Sequence, residues 1–145
     1  MSDILFHKVL IPVDESEQAM RAVLKAVDLA ASGIIGELVL LNVYDNSKVD
    51  ITKLHNNDKL DELRTESLEL LRKYEAVIQE KGVQPRLKRA GGEPSALIMD
   101  VIENDGQYDL VIMGSRRLNK FQELAFGSVS DRVCRLVDVP VLVVK

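Results

Sequence analysis

"MGSRRLNKFQELAFGSVSDRV", residues 113–133, holds the feature around which the whole chain can be read. An apolar run ends at Gly114, and a second glycine, Gly127, is followed by Ser128 and an amphipathic stretch that opens a helix. A strand stopping on glycine, a loop, and a helix starting after glycine are the parts of a β-α unit. The rest of the sequence repeats that unit.

Short apolar runs rich in branched side chains occur at 9–13 (VLIPV), 37–44 (ELVLLNVY), 109–114 (DLVIMG) and 139–144 (VPVLVV). Near-continuous apolar runs suit strands buried on both faces, which predicts parallel strands covered by helices. A fifth segment, VQPRLKRA at 83–90, alternates and carries charge, so it reads as an edge strand. Between the runs, Ala19, Val23, Ala26, Val27 and Ala30 share one helical face, as do Leu60, Leu63, Leu70, Leu71, Tyr74 and Ile78. Leu97, Ile98, Val101 and Ile102 form a third stripe, and Val129, Val133, Leu136 and Val137 a fourth. The expected fold is a Rossmann-like α/β domain spanning 1–145: a five-stranded parallel, doubly wound sheet in the order 3-2-1-4-5 with four helices. Glu80–Lys81–Gly82 reads as a glycine-capped helix end. The polar stretch from Asp45 to Asp58 reads as a mobile loop or a lid.

The chain has 145 residues, enough for a core without disulfides or metal staples. Its 19 basic and 23 acidic side chains give a net charge of −4, with no run of Lys and Arg suited to a phosphodiester backbone. That argues against nucleic acid and an anionic membrane as partners. Apolar stretches fall far short of the roughly 20 residues that cross a bilayer, and MSDILFHK lacks a signal core, so a cytoplasmic location is expected. The single cysteine, Cys134, reads as a small buried side chain. No CxxC or HExxH pattern suggests a metal, and His7 and His55 are too isolated to form a site.

In an open sheet of this order, ligands bind outside the carboxyl ends of the strands where the order reverses. Strand one ends in PVDES, which puts Pro12, Val13 and Asp14 there, strand four ends with Met113 and Gly114 across from them, and strand two ends near Val43. Ser128 can cap the fourth helix, with Asp131 completing a capping box. A helix N-terminus with free N–H groups, a hydroxyl and a glycine suits an anion. Gly114 would let the chain leave its strand close to a ligand, and Gly127 would let it re-enter a helix aimed at a phosphate. Each feature has a plainer reading: Asp14 as the cap of the first helix, with Glu17 three residues on, and Gly127 with Ser128 as helix-start chemistry.

The sequence resembles the universal stress protein family over nearly its whole length. The resemblance rests on KVLIPVDESEQA, LVLLNVYD, GGEPSALIMDVIE, DLVIMGSRR…FGSVSDRV and PVLVV, in that order and spacing. The family's nucleotide-binding branch carries glycine, two residues, glycine, nine residues, glycine, then serine or threonine. Gly114, the stretch Leu118–Phe126, Gly127 and Ser128 match, and Arg117 stands at the middle glycine. The resemblance implies ATP or a related adenine nucleotide, alone or with Mg2+, as the ligand. It implies Asp14 at the adenosine end, Val13 and Val43 by the base, Gly114 and Arg116 along the phosphate loop, and Gly127, Ser128, Val129 and Ser130 on the phosphates. It also implies a homodimer through the final strand, 139–144.

Arg117 can act in opposite ways. At a position needing positive φ it is strained by about 1–2 kcal/mol and its side chain fills the phosphate site. At negative φ its guanidinium beside a triphosphate is favourable. A solvent-facing arginine is the third reading. Since every other element is kept, ATP binding is expected to survive. Hydrolysis would need a base poised for water and a metal ligand, and spacing puts neither Asp14 nor Asp131 at a γ-phosphate. A regulator with little or no turnover is therefore expected, and a homodimer acting through protein contacts without nucleotide is the alternative.

Overall fold

The computed structural model describes residues 3–46, 49–50, 52–53, 56–115 and 128–145. Along the chain these form β1 (Phe6–Pro12), α1 (Glu17–Ala31), β2 (Ile35–Tyr44), α2 (Asn56–Glu80), β3 (Arg86–Gly91), α3 (Pro94–Asn104), β4 (Leu110–Gly114), α4 (Ser128–Leu136) and β5 (Val141–Val144). Every strand pairing is parallel, and the sheet order is β3-β2-β1-β4-β5. The expected doubly wound α/β fold is thus found.

Alternation along the strands divides the core into two layers. Val9, Ile11, Leu38, Leu40, Leu110 and Ile112 point to α1 and α2, while Leu10, Val39, Leu41, Val111 and Met113 point to α3 and α4. Both sets are nearly inaccessible to solvent, which accounts for the unbroken apolar runs in sequence. α1 buries Ala19, Ala22, Val23, Ala26 and Val27. Its alanines let the helix lie close on the sheet. Gly82 adopts φ +80° and donates to the Gln79 carbonyl, ending α2 as the Lys-Gly signal predicts.

Several expectations need correction. The strands at 83–90 and 139–144 are shorter, beginning at Arg86 and Val141. Leu136, assigned to a buried stripe, is 55% exposed at the last residue of α4. Cys134 is exposed rather than buried, because only Val133 of that helical turn faces the sheet. The polar stretch from Asp45 to Asp58 is partly helix, since α2 begins at Asn56.

Candidate functional site

The carboxyl end of the sheet opens between β1 and β4. β1 stays paired with β2 as far as Pro12↔Leu41, and β4 with β5 as far as Gly114↔Val144. Between β1 and β4 the described pairs are only Val9↔Leu110 and Leu10↔Val111. The two strands therefore part at the place where the order reverses, with α1 leaving on one face and α4 on the other. Val13 turns both main-chain polar atoms toward β2: its N–H donates to Leu41 O over 2.8 Å, and its carbonyl accepts from Asn42. Those of Pro12 consequently point to the side where the β4 ladder has ended, and a residue without an N–H fits there.

The turn after β1 is held from several directions. Asp14 Oδ1 accepts from Ser16 N over 2.9 Å and from the Ser16 hydroxyl. Ser16, with extended backbone, is the true N-cap of α1, its Oγ accepting from Ala19 N over 3.1 Å. Asp14 as helix cap is thereby corrected: it holds the cap. Behind the turn, Asn42 Nδ2 donates to Val13 O (2.8 Å) and Ser67 Oγ donates to Asn42 Oδ1 (2.6 Å). Tyr74 Oη donates to Asp14 O over 2.6 Å. Asn42, Ser67 and Tyr74 are all buried. Burial, with the nearby charges of Asp14 and Glu15, pushes the Tyr74 phenol up to about 12, so it remains a donor at neutral pH. None of these three was singled out as polar machinery from sequence. The available signal was a lone Asn in an apolar strand.

On the opposite lip, Met113 is buried in the α3/α4 layer, and Gly114 lies against the start of α1. A Cβ on Gly114 would meet the Gln18 carbonyl group and lie 2.8 Å from Ala19 N. Close helix packing thus calls for glycine. Ser115 donates its N–H to Val144 O (2.9 Å), while its buried hydroxyl has no hydrogen-bond partner among the described residues. Arg116, Arg117 and Gly127 lie outside the described residues. Ser128 is the first residue of α4 rather than a residue preceding it, and Asp131 accepts from Arg135 Nε over 3.3 Å. Val129 is half-buried and Ser130 buried. Because α4 runs antiparallel to the strands, its N-terminus sits at the carboxyl end of the sheet. Val43 packs in the α3/α4 layer, across the sheet from Val13.

A second polar cluster joins α3 to α4. Glu93 caps α3 through Ser95 N (3.2 Å) and Ala96 N (2.8 Å), ahead of Pro94 in the first turn. Those bonds, the Ala96 N–H foremost and then the Ser95 hydroxyl, hold the Glu93 carboxyl below its usual range. Arg132 of α4 donates to Ser95 Oγ over 2.9 Å. Far away, at the amino ends of the strands, a cleft of about 310 Å³ is lined by Lys8, Lys88, Asp105 and Tyr108. Its Lys88 pairs with Asp105 and its Lys8 lies 4.7 Å from the Tyr108 ring centroid. Their charges are already engaged within the cleft.

The family model described as "Universal stress protein family" matches residues 5–145. The chain belongs to the universal stress protein family. It is 32% identical to universal stress protein YxiE of Bacillus subtilis, with 97% of this chain and 100% of that protein covered. Universal stress protein UspA from Lactobacillus plantarum has the same fold, at a TM-score of 0.82 and 22% identity over 99% of this chain and 100% of that one. Two further universal stress proteins share the fold at a TM-score of 0.71 and 20% identity. One is in complex with cAMP and covers 97% of each chain. The other, from Arabidopsis thaliana, has AMP bound and covers 96% of this chain and 91% of that one.

Proposed function

We propose that this universal stress protein is a cytoplasmic regulator that binds ATP or a related adenine nucleotide between the carboxyl ends of β1 and β4. The observation that carries the reading is the parting of those strands after Leu10 and Val111, with Asp14 on one lip and the N-terminus of α4 on the other. A carboxylate repels phosphate and the positive end of a helix dipole attracts it, so the ligand's direction follows. Ribose hydroxyls lie at Asp14, and phosphates at Ser128, Val129 and Ser130. Pro12, Val13, Val43 and Met113 supply apolar surroundings for the base, and Gly114, Arg116, Arg117 and Gly127 line the phosphate loop. Family members with AMP and with cAMP support an adenine ligand.

Among the described residues no group of three or more His, Cys, Asp or Glu could hold a metal ion. Mg2+ would therefore enter on the nucleotide's own phosphates. Spacing puts neither Asp14 nor Asp131 at a γ-phosphate as a base for water. Little or no turnover follows. Calorimetric titration of the nucleotide-stripped protein with ATP and Mg2+, with AMP and GTP as controls, tests the reading. Micromolar ATP binding is expected, and none up to millimolar ATP overturns it. Phosphate release over hours that disappears in Asp14→Ala would replace the regulator with an ATPase.

A second reading is a homodimer acting through protein contacts. It is favoured by β5, which forms one edge of the sheet and leaves Leu142 38% exposed. Val141 and Val143 pack against the α3/α4 layer, so the exposed Leu142 is the position to change, and Leu142→Lys should then yield a monomer by light scattering. A dimer surviving Leu142→Lys rules out this interface.

A further inference from the structure

The two peptide carbonyls that flank the Cα of Asp14 are each held by a buried side chain from outside the turn. Asn42 of β2, itself oriented by Ser67 of α2, takes Val13 O, and Tyr74 of α2 takes Asp14 O. Fixing both peptide planes fixes φ and ψ of Asp14, and with them the direction of its Cβ. Ser16 then sets the carboxylate itself.

The surroundings of this clamp are apolar. Ile11, Leu40, Leu71 and Ile78 occupy the same layer. A core can usually exchange a hydrogen-bonded polar set for apolar side chains of matching shape at little loss of stability, whereas a satisfied polar network fixes one geometry. Three buried polar side chains converging on one turn therefore point to orientation as their role.

We infer that Asn42, Ser67 and Tyr74 are positioning residues that aim Asp14 at the ligand and so set the selectivity of the crevice for a ribose bearing free hydroxyls. The inference rests on the nucleotide reading above and adds specificity-determining residues to it. α2 thereby acts on a ligand it does not touch.

The test compares dissociation constants for ATP, 2′,3′-dideoxyATP and inorganic triphosphate in the wild-type protein, Tyr74→Phe and Ser67→Ala. Charge-assisted bonds from ribose hydroxyls to Asp14 should make the wild type prefer ATP over the dideoxy analogue by about tenfold or more. Both variants should lower that ratio to about threefold or less while leaving triphosphate binding unchanged. A wild type that discriminates, with variants that discriminate equally, overturns the clamp alone. A wild type without discrimination overturns the placement of ribose at Asp14, and the inference with it. Parallel loss of ATP and triphosphate binding in the variants would show that the three side chains act only on the fold, which also overturns the clamp. A ligand-free measurement is independent of these outcomes: Tyr74→Phe should speed hydrogen exchange of the Ser16 amide, which Asp14 holds. Unchanged exchange there overturns the clamp as well.

Discussion

Gly114 at the end of β4 packs directly on the main chain of Gln18 in α1, leaving no room for a Cβ. The contact is backbone to backbone, so no side chain can swing aside to relieve it. Gly114→Ala should destabilise the protein by about 1–3 kcal/mol or more, seen as a lower thermal midpoint. An unchanged midpoint would show that α1 can withdraw from the sheet freely.

Removing the Ser67 hydroxyl leaves Asn42 Oδ1 without its described donor inside the core. Ser67→Ala should cost about 1–3 kcal/mol in urea unfolding, the penalty for an unsatisfied buried polar atom rather than for one weak bond. A loss within about 0.5 kcal/mol, as at ordinary surface sites, would indicate that water replaces the hydroxyl.

Glu93 is a carboxylate whose folded value lies below its ordinary one, so its contribution is present above the ordinary value and is lost as pH falls through the lowered one. Hydrogen exchange at Ala96, whose N–H Glu93 accepts, should therefore speed up on acidification once intrinsic rates are divided out. Glu93→Gln should flatten that acid dependence. Equal dependence in both proteins would detach Glu93 from it.

Tyr74 titrates in the opposite sense. Its phenol is raised to about 12, so the stability it contributes is complete below the ordinary tyrosine value of 10.0 and fades as pH climbs toward 12. Spectrophotometric titration at alkaline pH should show a late-ionising component that Tyr74→Phe removes. A late-ionising component of unchanged size in the variant would show that Tyr74 is not among the phenols whose ionisation burial delays.

Arg117 stands in sequence where the family's nucleotide-binding pattern has its middle glycine, and under the proposed function Arg117→Gly should change ATP affinity by about tenfold. Tighter binding identifies strain or occlusion by arginine, and weaker binding identifies a guanidinium on the triphosphate. An unchanged affinity makes Arg117 a bystander.

The amino-acid pattern alone determined the architecture. Runs such as VLIPV and DLVIMG are apolar at every position because their strands are covered on both faces, and the helical stripes set which side meets the sheet. With right-handed crossovers, that pattern leaves few topologies besides the observed order. The position of the crevice was legible for the same reason, because strand ends and the point of reversal follow from chain order. Leu136 and Cys134 were misplaced because a short amphipathic helix fixes its buried face only to within a residue or two.

Tertiary structure alone decided how the crevice is held. Ser67 and Tyr74 sit on a helical stripe that reads as ordinary core, and Asn42 lies in a strand separated from Asp14 by all of α1. Their bonds to Val13 O and Asp14 O depend on how closely α2 packs over β1 and β2. Gly114 shows the same limit: its sequence signal suggested room for a ligand, and packing added the Gln18 backbone as a second reason for glycine. Periodicity reports which face of an element is buried, because burial repeats along the chain. It does not report hydrogen bonds between distant elements, which are formed by single atoms brought together only when the layers pack.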